Sequence, residues 1–454
     1  MPDSEAPCKS TDLRRTLGMW GVMGQSVSGV APTATPTINI ALVFAVAGSG
    51  SWLAYVVATL AILLVAANLV PLARQFSGAG SLSELVGQGL GDGARRLTAW
   101  SLLLAYLAVS VATLAGAAGY VSTLFDWAGL KVPVIAWAAG IGVLAVVFAL
   151  RNIRFSTGLM LALEVTSVSL VIALGVVILM RQGVTADLSQ FRLEGLSAGG
   201  LNNALLIGVL SFVGFEAAAT LGDEAKEPLV SIPRALLLTP LLTGVFFVFS
   251  AYVIVLGFNR YEISVASSSA PLDDLAQAMH LPGLGLLVSL GAAISLFACG
   301  IATIVASSRL LFALARHGGM PAFFGAVSGR NVLPRYAVAT TSGIILFSLL
   351  LMTSLAHPLD VYDWLGTFGT FGCISAYALT CVAAPVFLRK SNQMKPRHAV
   401  VSVLALAVLG YVLVGSVYPM PTPPMNLIPW LFTGLLVMGF GFSSWYAGRG
   451  KVTR

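Results

Sequence analysis

The chain has 454 residues, 57% of them hydrophobic and 9% charged, with a mean hydropathy of +0.91. An ordinary soluble domain carries about 25% charged residues, so this composition excludes a water-soluble fold and makes lipid the natural solvent. The net charge of +7 is spread singly between apolar runs, without the basic stripe that a nucleic-acid partner needs.

A membrane crossing takes about 20 mostly apolar residues, and twelve such segments follow one another. The first, 17–46, comes after a polar tail over 1–16 and reads "GQSVSGVAPTATP" at its centre. Proline removes a backbone donor and clashes with the preceding turn. Pro32 and Pro36 therefore predict an unwound stretch near Ser26–Ala31 between two half-helices. The alternative is a proline kink repaired by neighbouring helices. Length and prolines both argue against a cleaved signal peptide. After the segment 51–74, the run "GQGLGDG" (87–93) lacks the lysine of a phosphate loop and reads as a turn.

The third segment, 94–123, carries Tyr106 and Ser110 four residues apart, on one helix face. The fourth is 132–150. The fifth, 155–180, holds Glu164 near the bilayer midplane, where ionisable residues are costly and usually functional. It reads as a proton carrier, a helix-to-helix anchor, or a hydrogen-bonded structural glutamate. In the sixth, 200–222, "GVLSFVGFE" holds Gly208, Gly214 and Glu216 and marks a second interruption. A charged hinge follows at Asp223, Glu224, Lys226 and Glu227, where Lys226 is expected to pair with a neighbouring acid.

After 234–257, the eighth segment, 284–314, lines up Ser295, Cys299, Thr303, Ser307 and Ser308. Thr303 and Ser307 share a face; they read either as a sodium site with first-segment carbonyls or as small polar packing contacts. Arg309 is expected to snorkel to the interface. The segments 335–355, 361–388, 399–418 and 425–446 and a tail over 447–454 complete the chain. None of the four cysteines forms a CxxC pair, and the four histidines leave no ligand cluster or Ser-His-Asp candidate, so no enzyme, metal or cofactor is expected.

Charge tests the count. With the N-terminus in the cytoplasm, twenty-one of the 25 basic residues fall on the cytoplasmic side, as the positive-inside rule requires. Trp20, Trp100 and Trp445 fall near inner ends and Trp52, Trp127 and Trp364 near outer ends. Both termini are then cytoplasmic. The first and sixth segments run antiparallel, and interruptions at corresponding places in two opposed halves point to a transporter site built on inverted repeats. Broken helices bare N–H groups at one end and carbonyls at the other. They suit a zwitterion without any full counter-charge.

The stretch "SFVGFEAAATLGDEAKEPLVSIPRA" (211–235) resembles the sixth-helix signature of the amino acid–polyamine–organocation superfamily, with Glu227 where the family often has Asn. The segments 77–91, 154–164 and 307–338 are similar to other family motifs, with His317 where an acid is usual. The resemblance implies an all-α integral membrane protein of twelve transmembrane helices. A five-plus-five inverted repeat would occupy 17–390, with helices 1 and 6 discontinuous, and helices 11 and 12 would occupy 391–446. It implies secondary transport of amino acids or related amines across the cytoplasmic membrane. The substrate carboxylate would lie on Ser26, Val27, Ser28 and Gly29, and the amino group on carbonyls of Phe212, Val213 and Gly214, with Phe215 and Glu216 beside them. Ser110 is expected to face this site. Some proton-coupled members keep a lysine in helix 5, which is absent here, with Ser167 near its place. Uniport, exchange, and symport of H⁺ or Na⁺ through Glu164, Glu216, Thr303 or Ser307 stay open. So do a polyamine carrier, a non-transporting nutrient sensor, and a homodimer.

Overall fold

In the computed structural model the described residues are 15–76, 81–127, 129–151, 153–182, 188–192, 198–263, 270–327, 334–418, 420 and 422–452. The tail expected over 1–16, Cys8 included, lies almost wholly outside them. The described residues are helical throughout except for loops and one isolated parallel bridge between Leu17 and Ala225.

The α-helices are α1 (Met19–Val30), α2 (Ile40–Ala47), α3 (Ser51–Ala73), α4 (Leu82–Leu90), α5 (Asp92–Trp127), α6 (Val134–Ala149), α7 (Ile153–Gln182) and α8 (Ala198–Leu210). They continue as α9 (Pro228–Tyr261), α10 (Pro271–Ala278), α11 (Pro282–Arg316), α12 (Arg335–Leu355), α13 (Pro358–Lys390), α14 (Pro396–Gly415) and α15 (Ile428–Val452). Among the described residues, ten helical stretches are long and apolar enough to cross a membrane, and α6 is apolar but shorter. The chain is an all-α, multi-pass membrane protein. The first stretch, Met19–Ala73, has 55 residues. At ~1.5 Å per residue it is more than twice as long as the ~30 Å hydrocarbon core. It bends at Gly48–Gly50, where Gly48 takes φ 52°.

Two groups of helices pack internally. Helices α1, α2, α3, α8 and α9 form one; α5, α6, α11 and α12 form the other, each touching the remaining three. Helix α7 lies against α1, α9 and α11, and α13 against α5. Helices α14 and α15 leave large apolar side chains such as Val403, Val414, Val437 and Met438 exposed, as a lipid-facing surface would.

One end of the bundle is sealed by the chain itself. The Thr16 and Leu17 N–H groups donate to the Glu224 carbonyl at 2.8 and 3.0 Å, and the Lys226 N–H donates to the Leu17 carbonyl at 2.8 Å. Glu224 also receives two hydrogen bonds from the Arg309 guanidinium, both 2.9 Å, with each side chain buried. This corrects two expectations. Arg309 does not snorkel but is fully enclosed, and the hinge acid it holds is paired across to α11 instead of with exposed Lys226. Removing one member of a buried pair strands the other charge and costs about 3–5 kcal/mol, whereas replacing both is far milder. Arg309→Met should therefore lower the melting temperature sharply in detergent, and Arg309→Met/Glu224→Met should recover most of it, measured by thermal unfolding.

Candidate functional site

The site begins with main chain. Pro32 disfavours right-handed helix at the residue before it, and Ala31 sits at φ 49°, ψ 64°, a left-handed conformation that costs an L-residue roughly 1–2 kcal/mol. α1 therefore stops at Val30, and its continuation is a π-helical turn, Thr35–Asn39, leading into α2. Such turns are frequent at functional sites. The interruption falls at Ala31–Thr33, starting at the last residue of the Ser26–Ala31 window expected from sequence. Ser26, Val27, Ser28 and Gly29 are the last turn of α1.

The second interruption lies opposite. α8 ends at Leu210, residues 211–214 form turns, Gly214 takes φ 101°, and a 3₁₀ helix runs over Phe215–Leu221. Gly29 and Gly214 bring the two breaks into contact. A Cβ built on Gly29 would lie 2.5 Å from the Gly214 carbonyl oxygen, and one on Gly214 would lie 2.2 Å from the Gly29 carbonyl oxygen.

Side chains lace this contact. The Ser26 hydroxyl donates to the Phe215 carbonyl, and the Cys299 thiol to the Gly29 carbonyl at 3.3 Å. The Gln25 amide donates to the Ala302 carbonyl at 2.8 Å. Glu216 holds the second break: its carboxylate accepts from the Gly214 N–H at 3.2 Å, the Tyr106 hydroxyl at 2.8 Å and the Tyr377 hydroxyl at 2.5 Å. One carboxylate thus ties α5 and α13 to an opened backbone. Tyr377, which also packs on Phe215 at 5.5 Å between ring centroids, had no signal in sequence reading.

Glu164 belongs to a second network at the first break. Its Oε2 accepts from Ser295 at 2.8 Å and Ser167 at 3.4 Å. Thr33, inside the break, donates from its hydroxyl to Ser167 at 2.9 Å and from its N–H to Ser295 at 3.4 Å. Glu164 Oε1 is buried with no partner among the described residues. Thr303 accepts from Ser110 at 2.8 Å and donates to the Cys299 carbonyl at 2.8 Å; the Ser307 hydroxyl returns to the Ile304 carbonyl of its own helix at 2.9 Å.

A cavity of about 400 Å³ opens from the breaks toward the end of α2 and the start of α13. Gly29, Val30, Ala31 and Val213 line its deep end, and exposed Asp360 and Asp363 its mouth. Ser26, Ser110, Gly214 and Phe215 sit behind this lining. The cavity is on the opposite side of the breaks from the Leu17–Ala225 bridge.

The amino acid permease family model matches residues 21–451. The chain belongs to the amino acid permease family. It is similar to the L-methionine/branched-chain amino acid exporter of Escherichia coli (strain K12), 28% identical over 77% of this chain and 81% of that one. It is also similar to the branched-chain amino acid permease of Bacillus subtilis (strain 168), 22% identical over 84% and 80% of the two chains. The low-affinity putrescine importer of Escherichia coli (strain K12) is 25% identical over 76% of this chain and 78% of that one. The transporter reading thus holds for this permease at family level.

Glu216→Ala would leave two hydroxyls and one N–H of the permease without an acceptor, at about 1–3 kcal/mol each, together with the Cys373 thiol. We expect a loss of about 3 kcal/mol or more by thermal unfolding. Gly214→Ala should cost about 2 kcal/mol or more through overpacking and its left-handed φ, while Gly140→Ala, where a Cβ meets open space, serves as the neutral control.

Proposed function

We propose that this permease carries a neutral aliphatic amino acid across the cytoplasmic membrane by alternating access, with both termini in the cytoplasm. Counting Met19–Ala47 and Ser51–Ala73 separately and including α6 turns the ten apolar stretches into twelve crossings. The packing supports an inverted repeat. On that count α3 pairs with α9, α5 with α11 and α6 with α12, each pair five crossings apart, as a pseudo-two-fold axis in the membrane plane produces. The transport core would then span 17–390, with 391–446 outside the repeat.

The observation that carries the reading is the Gly29–Gly214 contact at the floor of the cavity. There, helix ends offer peptide groups to an amino acid's two charges at little desolvation cost. We assign the carboxylate to the first break beside Ser28 and Gly29, and the amino group to the Val213 carbonyl at the lining, with the Phe212 and Gly214 carbonyls behind it. The lining is mostly aliphatic, with Val30, Ile38, Val109, Ala112, Ile207 and Leu210; this favours an apolar side chain. Asp360 and Asp363 favour a second reading, an organic diamine, but they stand at the mouth and not beside the breaks.

The cavity's position and the sealed opposite end fit an outward-open state. The first helix group would rock against the second, which α7 and α13 flank. For coupling we favour H⁺ at Glu164: its carboxylate keeps one oxygen free, whereas Glu216 has its oxygens engaged on four donors.

Reconstituted vesicles should take up labelled leucine or methionine, with putrescine competing weakly; strong competition by putrescine alone would move the assignment to the diamine. Gly29→Val should abolish uptake while the protein still reaches the membrane. Glu164→Gln should remove the response of uptake to an imposed proton gradient, and an unchanged response would exclude that role.

A further inference from the structure

A second surface lies at the sealed end, away from the cavity. A hollow of about 230 Å³ separates Leu17–Met19 from the start of α9 and is walled by Lys226, Glu227, Val230 and Arg234. Arg15 borders an adjoining hollow that shares Glu227 and Val230. Lys226 and Arg234 are exposed. Among the described residues neither is held in an ion pair. Glu227 is the one carboxylate on the wall, against Arg15, Lys226 and Arg234, so the local charge is positive.

Arg234 also belongs to a lipid-side stripe. Val230, Arg234, Leu238, Leu241 and Val245 are all exposed. They follow at steps of four, four, three and four residues, which keeps them on one helix face. The apolar stripe thus runs straight into unpaired cations. That order matches a phospholipid whose head group is anionic, since a membrane-surface Lys or Arg attracts acidic lipid and a long cationic side chain reaches the head-group level from an apolar helix.

We propose that this hollow binds the head group of an anionic phospholipid, with acyl chain along the α9 stripe, and that the bound lipid holds the entry of α1 against the start of α9. The walls of the hollow account for this hold. Leu17–Met19 and Lys226–Arg234 lie on the two sides joined by the Leu17–Ala225 bridge. A head group touching both sides binds only while they are together, so by linkage it favours the bridged arrangement of α1 and α9. The inference rests on the topology proposed above, which sets this end in the cytoplasm, but it makes no use of the substrate site.

The test uses the purified full-length protein titrated with phosphatidylglycerol, phosphatidylcholine or glycerol 3-phosphate and followed by native mass spectrometry. Wild type should retain phosphatidylglycerol over phosphatidylcholine. Lys226→Gln/Arg234→Gln should weaken that retention roughly five- to thirtyfold, from the worth of one to two surface cations; Lys226→Arg/Arg234→Lys should keep it, as should Arg389→Gln on α13. Hydrogen exchange of the Leu17 and Lys226 amides, which form the bridge, should slow several-fold with phosphatidylglycerol in wild type and not in the glutamine variant. Equal retention of both lipids, an equal loss in Arg389→Gln, or full displacement by glycerol 3-phosphate alone overturns the lipid site. Retention with unchanged exchange overturns its hold on the bridge. Uptake in phosphatidylcholine vesicles reports on transport separately, so failure of one reading leaves the other standing.

Discussion

Two glycines without side chains let two opened main chains touch. Everything at the candidate site follows from the approach of Gly29 and Gly214, where even a methyl group would clash with a carbonyl oxygen at 2.2 or 2.5 Å. In the hydrocarbon interior an open backbone survives only where protein covers it. The contact supplies that cover: each break shields the other, and Ser26 and Cys299 close further carbonyls from the side. The same contact sets the depth of the cavity, because Gly29 and Val213 form its floor.

The two glutamates at the breaks answer different needs. Glu216 replaces missing helical hydrogen bonds at Gly214 and is itself gripped by tyrosines from two other helices. A group so fully partnered rigidifies its surroundings. Glu164 is held on one oxygen only and reaches the first break through Ser167, Ser295 and Thr33. Hydroxyls can donate or accept, so this chain of contacts tolerates more than one arrangement of protons.

The molecule is asymmetric about the breaks. One side is a cavity reaching exposed Asp360 and Asp363; the other is closed by the Leu17–Ala225 bridge and the Arg309–Glu224 pair. The pair is enclosed and bidentate, so its charge is satisfied only while the hinge after the 3₁₀ segment lies against α11. The bridge adds backbone hydrogen bonds at the same level. The pair spans the two helix groups, whereas the bridge fastens the entry of α1 to the start of α9 within one of them.

The sequence by itself determined what is local. Composition dictated lipid as solvent, apolar length dictated the helices, and Pro32 and Gly214 announced where helices would fail. These are properties of a residue and its immediate neighbours. Tertiary structure decided the rest. It kept Ser26–Val30 helical and confined the first interruption to Ala31–Thr33, with Gly29 packed on Gly214. It gave Glu216 the hydroxyl of Tyr377, 161 residues away, and Glu224 the guanidinium of Arg309, 85 residues away. No periodicity records such meetings, since hydrogen-bond partners are chosen by distance in space and a linear pattern carries only distance along the chain.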